Sequence, residues 1–154
     1  MQRKDFMAKT KVKIHLSNSR AKMPVCGSKY SAGYDLYSIC DELVTIGPHE
    51  TVKMNTGISL EIPEGYFGAI FARSGIATKR GLRPANCTGV IDSDYRGELI
   101  IALHNDTDQL QFVEPGERIA QLVIMPYLSV EFEESDNLDE TQRGSNGFGS
   151  TGTI

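Results

Sequence analysis

Val52-Lys53-Met54-Asn55-Thr56-Gly57-Ile58-Ser59-Leu60-Glu61-Ile62 decides the fold class, because its large apolar residues, Val52, Met54, Ile58, Leu60 and Ile62, all stand at even positions. Side chains alternate across a strand with a period of two, so this spacing puts them on one face of an extended or bent strand and leaves a polar face opposite. A helix would scatter them. Working outward, Pro63-Glu64-Gly65 reads as a turn, and residues 66–72 as a more continuously apolar strand. Residues 99–103 and 122–125 are uninterruptedly apolar, which fits strands buried on two faces. Glu114-Pro115-Gly116-Glu117 supplies the turn before the strand that begins at Arg118. One short helix is expected over 74–80, with Ser74 as a possible N-cap and Gly81 as its stop. Many short strands with little helix make the chain all-β, a jelly-roll-like barrel or sandwich.

At 154 residues the chain fits one domain with a substantial core. A formal charge of -4 argues against a nucleic-acid-coating protein, so a polyanion would need a local cationic site. Arg3, Lys4, Lys9, Lys11 and Lys13 form a basic N-terminal arm whose plain reading is a solvated entry strand. Cys26, Cys40 and Cys87 are odd in number and lack CxxC spacing, which indicates neither a disulfide framework nor a zinc site. No apolar run approaches the roughly 20 residues of a membrane span, and no signal peptide opens the chain. A cytoplasmic or otherwise intracellular protein is expected, with neither nucleic acid nor membrane as partner. Six acidic residues crowd 131–140 and read as a solvated connector. It divides a body over 1–139 from a glycine-rich tail over 140–154, which pays a large ordering entropy and should be mobile until a ligand orders it.

Several chemistries drop out at once, since GxxxxGK[ST], GxSxG, HExxH and EF-hand patterns are all missing. His15, His49 and His104 are scattered without ligand spacing and read as surface or strand-end histidines. Three segments keep a functional reading beside a structural one. Residues 89–98, with Asp92, Asp94 and Tyr95, read as a β-hairpin whose two carboxylates share a face; they either cap the turn or supply a general base. Tyr95 either packs over the hairpin or offers its ring to a ligand. Ala72-Arg73-Ser74-Gly75 stands at a strand-to-helix junction and is either an N-cap with a paired arginine or an anion site. In the tail, Phe148 has a face suited to a nucleobase, while Arg143, Ser150, Thr151 and glycine N–H groups suit phosphate oxygens; the alternative is a frayed terminus.

Taken together, Ala32-Gly33-Tyr34-Asp35-Leu36-Tyr37-Ser38, Ala72-Arg73-Ser74-Gly75-Ile76-Ala77, residues 89–98, Arg118-Ile119-Ala120-Gln121-Leu122-Val123 and residues 143–152 resemble, in order, the five motifs of the trimeric deoxyuridine triphosphate nucleotidohydrolases, the dUTPases. Two departures stand out. Ala72 occupies a position where the family usually has proline, and Asn146 one where many members have glycine.

The resemblance implies cleavage of dUTP to dUMP and pyrophosphate by water attacking the α-phosphorus, which keeps uracil out of DNA and supplies dUMP for thymidylate synthesis. It implies that Asp92 holds and deprotonates the water, with Gln121 and Ser74 beside the reacting phosphate. A carboxylate is a weak base, so positioning and charge stabilisation should carry more of the barrier reduction than proton removal. Tyr95 becomes the platform under the deoxyribose, where a ribose 2′-hydroxyl would collide. Asn86 contacts uracil, with Gly89, Val90 and Ile91 completing the base site, and Arg73 and Gly75 hold phosphate. Arg143, Phe148, Gly149, Ser150 and Thr151 form a lid over the base and the γ-phosphate. Asp35 helps hold Mg²⁺ through water, the metal being bound mainly by the triphosphate. The family is a homotrimer whose sites are shared between subunits. A dCTP deaminase would lack the glycine-rich tail, a nucleotide-sensing module that has lost turnover is disfavoured by intact Asp92, Tyr95, Arg143 and Phe148, and a structural jelly roll would leave the five ordered motifs unexplained.

Overall fold

The computed structural model describes residues 10–147. Arg3, Lys4 and Lys9 of the arm, and Phe148, Gly149, Ser150 and Thr151 of the tail, lie outside the described residues. Strands β1 (Lys13–Leu16), β5 (Thr51–Glu61), β9 (Glu98–Asn105) and β7 (Leu82–Pro84) pair in that order into one sheet. A second sheet has the order β2 (Val25–Cys26), β3 (Tyr34–Tyr37), β11 (Arg118–Pro126), β6 (Tyr66–Phe71), β8 (Thr88–Ile91), and β4 (Val44–Ile46) pairs with β10 (Gln111–Val113) as a ribbon. These pairings are antiparallel. Leu36, Ile70, Ile119 and Leu122 from the second sheet meet Met54, Ile58, Leu60, Leu99, Ile101 and Leu103 from the first in one buried cluster. Full burial of each such side chain contributes about 1.5–3 kcal/mol, which makes this interlayer the main stabilising element.

The even-numbered face of β5 is the buried one, as its alternation requires: Met54, Thr56, Ile58 and Leu60 point inward. The strand nevertheless bulges. Asn55 pairs with Ile100 and Ser59 with Glu98, so β5 spends two more residues than β9 over this stretch. Two is an even number, and the inward set therefore stays inward across the bulge. Glu98 closes it from the partner strand, accepting from Gly57 N–H at 2.6 Å and Asn55 Nδ2 at 2.9 Å, while Thr56 Oγ1 donates to Leu99 O at 2.6 Å.

Three local expectations are corrected. The helix α1 (Ser74–Arg80) ends at Gly81 in the left-handed region at φ +63°, as expected, but its N-cap is Arg73 rather than Ser74. Arg73 keeps extended backbone, and Ser74 is already the first helical residue. Residues 89–98 are not a hairpin, because β8 pairs with β6 while β9 pairs with β5 and β7 in the other sheet. The connection crosses between layers through a turn in which Tyr95 N–H donates to Asp92 O at 3.1 Å, so Asp92 and Asp94 do not share an extended face. Finally, β9 and β11 are buried on one face only. Ile100 is 48% exposed, Met125 is exposed and Val123 is half-buried, since no layer among the described residues covers their outer side, whereas Ile124 packs against the core.

Gly57 sets up the first test. It sits at φ +68°, and a Cβ there would stand 2.7 Å from Ala21 Cβ and 3.2 Å from Ile39 Cδ1. Gly57→Ala adds backbone strain to overpacking, and the expected loss is about 2–4 kcal/mol, or a Tm lower by roughly 10 °C. A melting curve within 2 °C of wild type, on the order of measurement error, would show that the bulge relaxes freely.

Candidate active site

Strand β11 lies between β3 and β6, and its register places Gln121 opposite Asp35 on one side and Phe71 on the other. Three segments far apart in sequence thereby meet at one sheet end. Arg73, two residues beyond Phe71, donates from Nε to Asp35 Oδ1 at 2.6 Å, and Arg118 donates from Nη1 to Asp35 Oδ2 at 3.1 Å. Asp35 is the least exposed of the three side chains, at 15%. Two guanidiniums on one carboxylate leave a surplus positive charge, the balance that suits an anion. Gln121 Nε2 donates to Ala72 O at 2.8 Å, and its Oε1 lies so close over Gly33 that a Cβ there would stand 2.3 Å away. That pairing fixes the amide. Ser74 and Gly75 are exposed at the start of α1, and the Ser74 hydroxyl is not used in capping.

Arg118 was missed as a site residue by sequence reasoning. Its signal was weak: it lies three positions before Gln121, which says nothing about facing Asp35 until a register shift between Arg118 and Ala120 is known.

A second cluster runs along β8, which is the free edge of its sheet. Every second residue of an edge strand presents unpaired N–H and C=O groups outward. Asn86 is exposed in the turn before β8. Gly89 is buried, and a Cβ on it would press on Ile70 Cβ at 3.3 Å and Asn86 Nδ2 at 3.5 Å. Val90 is 61% exposed, Ile91 packs against the core, and Asp92 is exposed at the strand's end. Tyr95 Oη donates to Glu98 O at 3.1 Å, and its ring lies over Gly97, where a Cβ would stand 2.3 Å from Oη. Arg96 Nη1 donates to Ser93 O at 2.6 Å and braces the turn. Thus Tyr95 is held by its own loop while 44% of it remains open. Asp92 lines a cleft with Phe67, Lys11, Lys13 and Tyr127.

The Asp92 end of the second cluster lies away from the first within one chain, although the other end of β8 runs beside Phe71. Thr88 pairs with Phe71 and Ile91 with Gly68, so Asp92 falls level with Phe67, whereas Arg73 leaves the sheet beyond Phe71. At about 3.3 Å per residue the ends are roughly 13 Å or more apart. Arg143 joins neither cluster by hydrogen bonding: its Nε donates to Asn146 O at 2.9 Å, within its own turn. Among the described residues no three His, Cys, Asp or Glu side chains converge on a metal position, and each Asp35 oxygen accepts from an arginine. These residues do not build a resident Mg²⁺ site. His49 pairs with Asp108, and His104 with Thr51 and Asp106, which is the strand-end role expected. All three cysteines are free.

Gly75 distinguishes packing from ligand approach. A Cβ at this position meets nothing within 4 Å, and glycine costs a helix up to about 1 kcal/mol relative to alanine, so packing gives no reason for it. Gly75→Ala is expected to leave Tm unchanged or raised by about 2–4 °C, while weakening the extra stabilisation that added pyrophosphate confers on wild type. Equal pyrophosphate stabilisation in both proteins would remove Gly75 from the anion site.

Comparison with known proteins extends this geometry. A dUTPase family model matches residues 19–152. The deoxyuridine 5′-triphosphate nucleotidohydrolase of Desulfitobacterium hafniense is 46% identical over 145 residues, covering 94% of this chain and 96% of that protein. Its counterpart in Hydrogenobaculum sp. is 47% identical over 132 residues, covering 86% and 91%. Among solved structures, a mutant dUTPase of Staphylococcus bacteriophage 80alpha with dUpNHpp superposes with a TM-score of 0.81 at 31% identity, covering 94% of this chain and 99% of that one. A mutant dUTPase of phage phi11 of S. aureus, described with a structural Mg(II) ion, gives 0.77 at 27% identity, covering 85% and 100%. The family match runs unbroken through both clusters, from Asp35 and Arg73 through the Asp92 turn to Gln121, and on that ground the chain belongs to the dUTPase family.

Proposed function

We infer that this chain hydrolyses dUTP to dUMP and pyrophosphate, in sites shared between the subunits of a homotrimer. The observation that carries the reading is Asp92 and Tyr95 held in one braced, exposed turn at the end of a free sheet edge. Uracil lies along β8, where Asn86 and the outward backbone groups of residues 89–91 match its donors and acceptors. Cytosine inverts part of that pattern. The deoxyribose rests on Tyr95, whose ring excludes a 2′-hydroxyl. Asp92 accepts the proton of the water that attacks the α-phosphorus. The bond from that phosphorus to the α,β-bridging oxygen breaks, and pyrophosphate leaves.

Charge builds on the phosphates in this step and needs fixed cations, donors and dipoles nearby. Arg73, Ser74, Gly75 and Gln121 supply them, oriented by Asp35. Mg²⁺ enters with the triphosphate as part of the substrate, bound by phosphate oxygens and water, which is how this ion usually binds. The tail, with Arg143, Phe148, Gly149, Ser150 and Thr151, closes over base and γ-phosphate.

Two observations favour sharing between copies. The Asp92 turn and the Arg73 cluster lie toward opposite ends of the β6–β8 pair, which favours cations supplied by a neighbour. No strand or helix follows β11 among the described residues, yet Leu128, Phe132 and Leu138 are 84%, 93% and 89% exposed there. Large apolar groups in such number on one segment mark an interaction surface, and a second and third copy of the chain are the partners that also complete the site. Among the described residues no helix is long and apolar enough to cross a membrane.

The direct test is pyrophosphate release from dUTP, dTTP, dCTP and UTP with Mg²⁺: dUTP alone is turned over efficiently, and equal rates on all four would refute the assignment. Sharing is tested by complementation. Asp92→Asn and Arg73→Ala are each expected to be nearly inactive, but randomly reassembled equal mixtures regain about a quarter of wild-type activity, because that share of sites draws both intact groups from different subunits. A mixture as inactive as its components would mean that each chain builds its own site.

The tail makes a separate prediction. A chain ending at Asp139 is expected to keep its melting temperature, since residues 140–147 are exposed throughout, and to lose nearly all dUTP hydrolysis. Full activity would refute the lid, and a collapsed Tm would make the segment a structural strap.

A further inference from the structure

Between β7 and β8 only residues 85–87 remain to reverse the chain, and Asn86 sits at their centre. The reversal is strained. Cys87 holds φ +60°, a left-handed conformation costing a non-glycine residue about 1–2 kcal/mol, and Thr88 N–H donates to Asn86 O across it at 2.6 Å. Its backbone is held by Cys87 N–H donating to Pro84 O at 3.0 Å and Ala85 N–H donating to Ala102 O at 2.8 Å. Arg83 adds a side-chain brace with one end of its guanidinium: Nη1 donates to Pro84 O at 3.2 Å and Ala85 O at 3.3 Å, and lies 3.6 Å from Cys87 Sγ. The other end is gripped by Asp106, which accepts from Nε at 2.6 Å and Nη2 at 2.8 Å. Asp106 is itself tied down through its backbone N–H to Gly81 O at 2.9 Å.

We propose that Arg83, gripped by Asp106, is a positioning residue that fixes the Asn86 turn and thereby sets discrimination between uracil and the other pyrimidines. The proposal rests on Asn86 reading the base as inferred above. The magnitudes favour geometry over stability. Arg83 and Asp106 side chains are 33% and 42% exposed, and ion pairs in that range contribute roughly 0–1 kcal/mol to folding. What they provide is direction: a planar fork can bond a carboxylate on one edge and carbonyls on the other, which a lysine ammonium cannot reproduce. The hydrogen bond from Arg83 also holds the Asp106 carboxyl below its ordinary range, so the pair stays charged under assay conditions. Only side-chain displacement at Asn86, not loss of the fold, is needed to blur base reading.

Arg83→Met, Arg83→Lys and Asp106→Asn are compared with wild type for kcat and KM on dUTP and dCTP and for Tm. In Arg83→Met the KM for dUTP is expected to rise about tenfold with a much smaller change in kcat, and the dUTP to dCTP ratio of kcat/KM to narrow by about tenfold, at a Tm within roughly 3 °C of wild type. Arg83→Lys is expected to restore little of this, and Asp106→Asn to reproduce it, with the double variant no worse than either single. Unchanged base discrimination, full rescue by lysine, or additive losses in the double variant would each overturn the proposal. Should Arg83→Met fail to fold, Asp106→Asn carries the same comparison. Wild-type protein that failed to prefer dUTP would overturn the function and the proposal together, whereas wild type and variants sharing one strong preference would overturn the brace alone.

Discussion

The pairing of β11 between β3 and β6 is the constraint on which the phosphate-binding end of the molecule depends. Gln121 is fixed opposite Asp35 and Phe71 by backbone hydrogen bonds, and that register alone brings Arg73 within reach of Asp35. A slip of one residue would turn Gln121 to the other face and bring Ala120 or Leu122 to its place. The slip is opposed by the core, because Ala120 and Leu122 would then lose their burial against the opposite sheet. The hydrophobic interlayer and the anion site are thus two consequences of one register.

Electrostatics at that end is economical. Asp35 is largely enclosed and would be costly to leave unpaired, and it is paired twice, by Arg73 and Arg118. Orienting two arginines with one carboxylate leaves net positive charge aimed outward, whereas an arginine without such a partner would wander among rotamers and pay ordering entropy on binding. Asp35 is thus the anchor of both guanidiniums in this structure.

The edge strand β8 carries the complementary half. An open edge is usually a liability for a sheet protein. Here it ends in the Asp92 to Tyr95 turn at one side and the Asn86 turn at the other, so the exposed backbone groups are bounded by two shaped loops rather than left as a flat ribbon. Both loops are braced by side chains, Arg96 and Tyr95 within one and Arg83 from the strand before the other.

Alternation in residues 52–62, turn chemistry at Pro63-Glu64-Gly65 and the helix stop at Gly81 were all readable in the sequence, because each depends on residues near one another along the chain. The motif residues Arg73, Asp92 and Gln121 were readable as well, through their ordered resemblance to a family. What sequence could not decide was which strands pair. The hairpin expected at 89–98 had local turn residues in its favour, but β8 and β9 each gained more by joining a different sheet, and that choice is made by the whole core. The apolar runs at 99–103 and 122–125 looked doubly buried because sequence records that a residue is apolar, and only the fold records whether a layer of the same chain lies over it. The two-residue bulge at Gly57, the Arg118 contact to Asp35 and the distance between the two halves of the site belong to the same class: each is set by contacts between residues dozens of positions apart. Local pattern determined the elements and the chemistry they carry. Tertiary packing alone decided the partners of each strand, and with them which functional groups face one another within a chain and which do not.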